Sequence, residues 1–81
     1  GIEEEMKAAT MLYPNPFSDE LMVRVERPVY AELVSVTGQK LGEFHLQAGE
    51  NSLGLSHLAR GNYFLKLHHQ SANEVLPIIK K

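Results

Sequence analysis

The sequence contains no cysteine, no tryptophan, a single aspartate, and no apolar run long enough to cross a membrane as a helix. Without cysteine there is no disulfide framework, no thiolate nucleophile and no cysteine-based zinc site. The single aspartate, Asp19, would have to carry any Ser-His-Asp triad alone. It lies in Phe17-Ser18-Asp19-Glu20 ahead of a strand, where a turn or cap is the ordinary role, and no Gly-x-Ser-x-Gly elbow occurs. Basic clusters are also missing: eight Lys and Arg against ten Asp and Glu give a formal charge of -2, which speaks against nucleic acid as a partner. The acidic start Gly1-Ile2-Glu3-Glu4-Glu5 is the opposite of the basic segment that opens an export signal, so none is expected here.

What is present suits one small folded domain. The 81 residues leave no room for a two-lobed catalytic cleft, and 43% hydrophobic with 22% charged residues argues against disorder or a coiled coil. Residues 1–9 show no period and read as a polar linker or a remnant of cloning, and 10–81 as the domain proper.

From Thr10 onward the dominant period is two, the mark of strands with one buried face. Thr10 to Tyr13 makes the first. In the second, Leu21, Val23 and Val25 alternate with Met22, Arg24 and Glu26. Val29 to Val36 is dense enough for a central strand covered on both faces. Gly42, Phe44 and Leu46 share a face opposite Glu43 and His45; Leu53 and Leu55 form a short pair; Tyr63, Leu65 and Leu67 alternate with Phe64, Lys66 and His68; Val75 to Lys80 closes the chain. Four turn clusters, around Gly38, Gly49, Gly61 and Asn73, put Gly or Asn where positive φ is cheap. Seven short strands without a helical period predict an all-β fold, an Ig-like antiparallel β-sandwich of Greek-key type.

The chemistry-bearing residues are sparse. His68 and His69 leave opposite faces of a strand and cannot share an ion, and pairing His45 with His68 across strands lacks a third ligand. The glutamates cluster in residues 1–9 or on outward strand positions, so nothing separates one carboxylate's pKa from another's. No catalytic residue, metal or cofactor is expected. Tyr13-Pro14-Asn15-Pro16 is the most unusual segment: its prolines remove two backbone donors, so it cannot lie inside a sheet. It reads as a stiff corner, with Tyr13 and Phe17 covering the end of the core.

The order of four segments resembles the type A C-terminal sorting domain of the bacterial type IX secretion system, over Leu12 to Lys81. They are Tyr13-Pro14-Asn15-Pro16, the run Leu33 to Leu41 around Gly38, the run Leu55 to Leu67 around Gly61 and Tyr63, and the terminal Ile78-Ile79-Lys80-Lys81. Three positions depart from that pattern. Ser35 replaces a usual Asp and removes a side-chain cap on the turn before Gly38; Arg60 stands where Pro or Ala-Gly is usual; Pro77 interrupts the last strand and requires an edge.

The resemblance implies an Ig-like domain at the C-terminus of a larger cargo protein. Its implied partners are the type IX translocon, outer-membrane shuttle components and a sortase-type protease that removes it. Its implied route is the periplasm, then the cell surface or medium. Tyr13, Pro14, Asn15, Pro16, Gly38, Gly61, Tyr63, Lys80 and Lys81 are its motif residues, with Tyr63 and Phe44 expected in the core and both lysines solvated. Edge-strand exchange is a route to a weak homodimer. The alternative is an Ig- or fibronectin-like accessory module that spaces domains or binds carbohydrate, although no tryptophan and only six aromatics supply stacking platforms.

Overall fold

A computed structural model describes residues 10–81; the 1–9 linker assignment lies outside the described residues. The described chain is seven antiparallel strands and no helix: β1 (Met11–Tyr13), β2 (Glu20–Val25), β3 (Val29–Ser35), β4 (Lys40–Leu46), β5 (Gly49–Gly54), β6 (Gly61–His68) and β7 (Asn73–Lys80). They form a three-stranded sheet, β1-β2-β5, and a four-stranded sheet, β4-β3-β6-β7. This is the expected sandwich. In the immunoglobulin constant arrangement the fourth strand extends the first sheet. Here β4 instead pairs with β3 as a hairpin, whose register shifts between Leu33 and Val34.

The inward positions of the period-two pattern fill the space between the sheets. Leu21, Val23 and Val25 from β2 and Leu53 from β5 face Ala31, Leu33, Leu46, Leu65, Leu67 and Ile78 of the other sheet, all buried. Burial of these side chains supplies the main favourable term, at roughly 1.5–3 kcal/mol for each large aliphatic group. Phe44 is half-buried and packs against this core from β4 rather than inside it.

β3 departs from expectation. It is central in its sheet, but only Ala31 and Leu33 are buried; its other face carries Tyr30, Glu32 and Val34, each half-exposed. The β-branched density of the run reflects in-sheet centrality, not a second apolar layer.

The turns follow local chemistry. Gly38 and Gly49 have φ of +90° and +101°, which a Cβ would disfavour. No residue other than glycine has positive φ among those described, so the turn before Asn73 closes without it. Ser35 supplies the cap that its replacement of Asp was expected to remove: its Oγ accepts the Gln39 N–H at 3.1 Å and lies 2.9 Å from the Thr37 hydroxyl. Between sheets, Asn51 pins the β4–β5 crossover. Its Oδ1 accepts from Gln47 N–H, and its Nδ2 donates to the Gln47 and Gly49 carbonyls and, across to β2, to the Val23 carbonyl.

Candidate functional site

The motif residues converge at one end of the four-stranded sheet. Register places Gly61 opposite Lys80 and Tyr63 opposite both Ile78 and Ser35. The β3–β4 turn holding Gly38 therefore lies at the same end as the start of β6 and the close of β7. The Tyr13–Phe17 segment comes to this region from the other sheet and runs along the outer edge of β7.

This strap has three parts with separate roles. Tyr13, on β1, stays 38% exposed and donates its hydroxyl to Glu50 Oε2 at 2.6 Å, so it does not cover the core as expected. The carboxylate acceptor favours the protonated phenol and raises the Tyr13 pKa, with burial adding in the same direction. Phe17 does cover the core, at 0% exposure. Between them, the Asn15 side chain meets β7: Nδ2 donates to the Pro77 carbonyl at 3.1 Å, and Oδ1 accepts the Ile79 N–H at 2.9 Å. Two residues on, Phe17 N–H donates to the Ile79 carbonyl and its own carbonyl accepts the Lys81 N–H, making a parallel bridge to Lys80. Tyr13-Pro14 and Asn15-Pro16 are both cis peptide bonds.

Pro77 is accommodated by this arrangement. Its carbonyl points outward to Asn15, and the N and C=O of one strand residue face the same side, so its missing N–H falls on the edge and breaks no pairing with β6.

The C-terminal lysines differ from each other. Lys80 lies on the inward face of β7 at 8% exposure, with Nζ donating to the Lys81 carbonyl, while Lys81 is exposed. The expectation of two solvated lysines is corrected for Lys80: period two in β7 puts residues 76, 78 and 80 inward, and the long aliphatic stem can follow that face while the ammonium reaches the end of the sandwich. Tyr63 is half-buried; its ring packs against the core and its hydroxyl donates to the Ala59 carbonyl at 2.6 Å. A tyrosine near the start of this strand, bonded to backbone a few residues upstream, is the corner that ties the crossover in Ig-type sandwiches. Gly61 has φ +150° with open space around its missing side chain.

A second cluster lies on the outer face of the same sheet. His68 Nε2 is 2.9 Å from Glu32 Oε1; Lys40 Nζ is 3.6 Å from Glu32 and 3.2 Å from Glu43; the Tyr30 hydroxyl donates to Glu43 Oε1 at 2.8 Å. The Tyr30 ring stands 5.3 Å from both His45 and His68 and, on the strand between theirs, separates the two imidazoles, so the cross-strand pairing of His45 with His68 is not formed. The His68 contact holds the Glu32 carboxyl below its ordinary range. The Tyr30 and Lys40 hydrogen bonds do the same for Glu43, which in turn raises the Lys40 and Tyr30 pKa values. These groups satisfy one another. Among the described residues no three His, Asp or Glu side chains group to hold a metal ion.

The family described as the secretion system C-terminal sorting domain matches residues 11–81. This chain belongs to that family, the sorting domains of type IX secretion. Membership marks the sorting domain as a signal for export to the cell surface or extracellular space. No curated protein matches the chain. Among solved structures it is similar to one from a study of PorZ, described as an essential bacterial surface component of the type-IX secretion system of human oral-microbiomic Porphyromonas gingivalis. The TM-score is 0.77 at 16% identity, and the match covers 100% of this sorting domain and 12% of that chain. At that identity the likeness concerns the fold.

The sequence supplied the members of this site but not its joints. The Asn15–β7 contact links residues 64 positions apart, and the Tyr63 hydroxyl bond needs the β5–β6 crossover in place. Only the parity of the last strand could have marked Lys80 as inward-facing.

Proposed function

We propose that the domain is a non-catalytic secretion signal carried behind a cargo protein, read during transit of the periplasm by the type IX translocon and its outer-membrane shuttle components. A sortase-type protease then separates it from its cargo within the segment before Thr10. The observation that carries this reading is the gathering of Asn15, Gly38, Gly61, Tyr63 and Lys81 at one end of the four-stranded sheet, around the close of the C-terminal strand. Motif positions scattered over the sequence thus lie at the same end of the fold. Lys80, being inward, serves the fold, and Lys81 belongs to the surface that is read.

The test is transfer. Residues 1–81 fused behind a foreign periplasmic protein, in a bacterium equipped for type IX secretion, are expected to deliver that protein to the surface or medium. Retention of a folded fusion in the periplasm would overturn the reading in favour of an Ig-like accessory module.

A further inference from the structure

We propose that Asn15 is a positioning residue for the C-terminal strand, fixing Ile78 to Lys81 in the extended posture in which, on the sorting reading above, that end is recognised. β7 is the edge of its sheet, so the backbone groups that do not face β6 have no strand beyond them. An unpaired last stretch of an edge strand is where a chain end frays. On β7 the outward groups at this end belong to residues 77, 79 and 81, and each is engaged by the strap.

The engagement copies a parallel β-ladder. In such a ladder one residue donates its N–H and accepts through its C=O on either side of the residue it faces. Phe17 does this with its main chain, bracketing Lys80 through Ile79 O and Lys81 N–H at 2.9 and 2.8 Å. Asn15 does it with its side chain, bracketing Ile78 through Pro77 O and Ile79 N–H at 3.1 and 2.9 Å. A carboxamide has the donor and acceptor of a peptide group; a carboxylate lacks the donor, and a hydroxyl cannot reach both. The flanking Pro14 and Pro16 have no N–H to offer the edge in its place. The side chain of Asn15 is itself exposed, so its role lies in what it holds and not in filling the core.

The test uses the 81-residue chain for amide exchange and its reporter fusion for delivery. Asn15→Ala and Asn15→Asp are compared with Val25→Ala, a core change that lowers stability without touching the strap. In Asn15→Ala, exchange at Ile79 is expected to accelerate about tenfold or more, the scale of one lost hydrogen bond, with Leu65 and Leu67 unchanged. Surface delivery is expected to fall with it, while Val25→Ala delivers like the parent. Asn15→Asp keeps the acceptor for Ile79 and is expected to lie between, which preserves the comparison should the alanine variant fold poorly. Parental protection of Ile79 in Asn15→Ala overturns the clamp. Faster exchange with parental delivery overturns the positioning role and leaves the sorting reading standing. Equal loss of delivery in Val25→Ala assigns the effect to stability and overturns it too. A parent fusion that is never delivered removes the sorting reading itself, and the positioning role with it.

Discussion

The hydroxyl of Tyr63 donates to the carbonyl of Ala59 at 2.6 Å, so the ring that seals this side of the core is tied at its polar tip to the crossover that precedes it. Tyr63→Phe keeps the ring and loses the bond, and is expected to lower stability by about 0.5–1.5 kcal/mol. Tyr63→Ala loses both, at roughly 3 kcal/mol, the lower end for a large aromatic because the ring is only half-buried. Thermal melts of the pair check this; a Tyr63→Phe variant that melts like the parent would show that the corner bond contributes nothing.

Gly61 and Gly54 make a controlled comparison. Both have open space where a Cβ would stand, but only Gly61 has a positive φ, at +150°. Gly61→Ala is expected to destabilise by about 1–3 kcal/mol through backbone strain alone. Gly54→Ala is expected to be neutral or slightly stabilising, since it restricts the unfolded chain without strain. Urea unfolding of both reports the difference; equal midpoints would remove the conformational argument.

The terminal lysines are expected to separate on mutation. Lys81→Glu changes an exposed charge and should alter stability by no more than about 0.5 kcal/mol. Deleting Lys80 and Lys81 together removes the inward stem, the ladder opposite Gly61 and the Lys81 bond to Phe17, and should cost about 1–3 kcal/mol. A two-residue deletion with an unchanged melt would return Lys80 to the solvated role. Surface delivery of Lys81→Glu then tests whether the charge itself is read.

The outer-face cluster predicts acid sensitivity. Glu32 and Glu43 both have folded-state pKa values lowered from 4.5, Glu32 chiefly by His68 and Glu43 by Tyr30 and Lys40. Their contribution is therefore present above the unfolded pKa and is lost as pH falls through the folded one, because the unfolded chain takes up the protons first. The melting temperature should decline below about pH 4.5. Glu32→Gln should flatten that decline in part, and an identical pH profile for parent and variant would exclude Glu32 as a source.

Strand positions were open to sequence reading because the buried Leu21, Val23, Val25, Leu53, Leu65 and Leu67 of β2, β5 and β6 are aliphatic and most of their neighbours polar, and period two alone sorts such a pattern into faces. The same rule failed where a residue's character opposed its position. Lys80 is charged but inward, since its stem is apolar and its head reaches the end of the sandwich. Tyr13 is aromatic but outward, since Glu50 satisfies its hydroxyl. Tyr30 and Val34 gave β3 an apolar look on a face that proved half-exposed. At the site, composition identified the strap as a corner, but its attachment to β7 is a long-range contact that no local window contains.

The parallel course of the strap beside β7 determines how the domain bears load. Thr10 lies at the Glu74 end of the strand, bonded to that side chain, whereas Lys81 leaves at the other end beside Phe17. Tension applied between a preceding domain and the C-terminus would act along the strand axis in opposite directions on the two segments. The Asn15 and Phe17 bonds would then be sheared together instead of being opened one after another. A tether of this geometry resists being dragged along the strand until several bonds yield at once, so the strap and the C-terminal strand hold together under such a load.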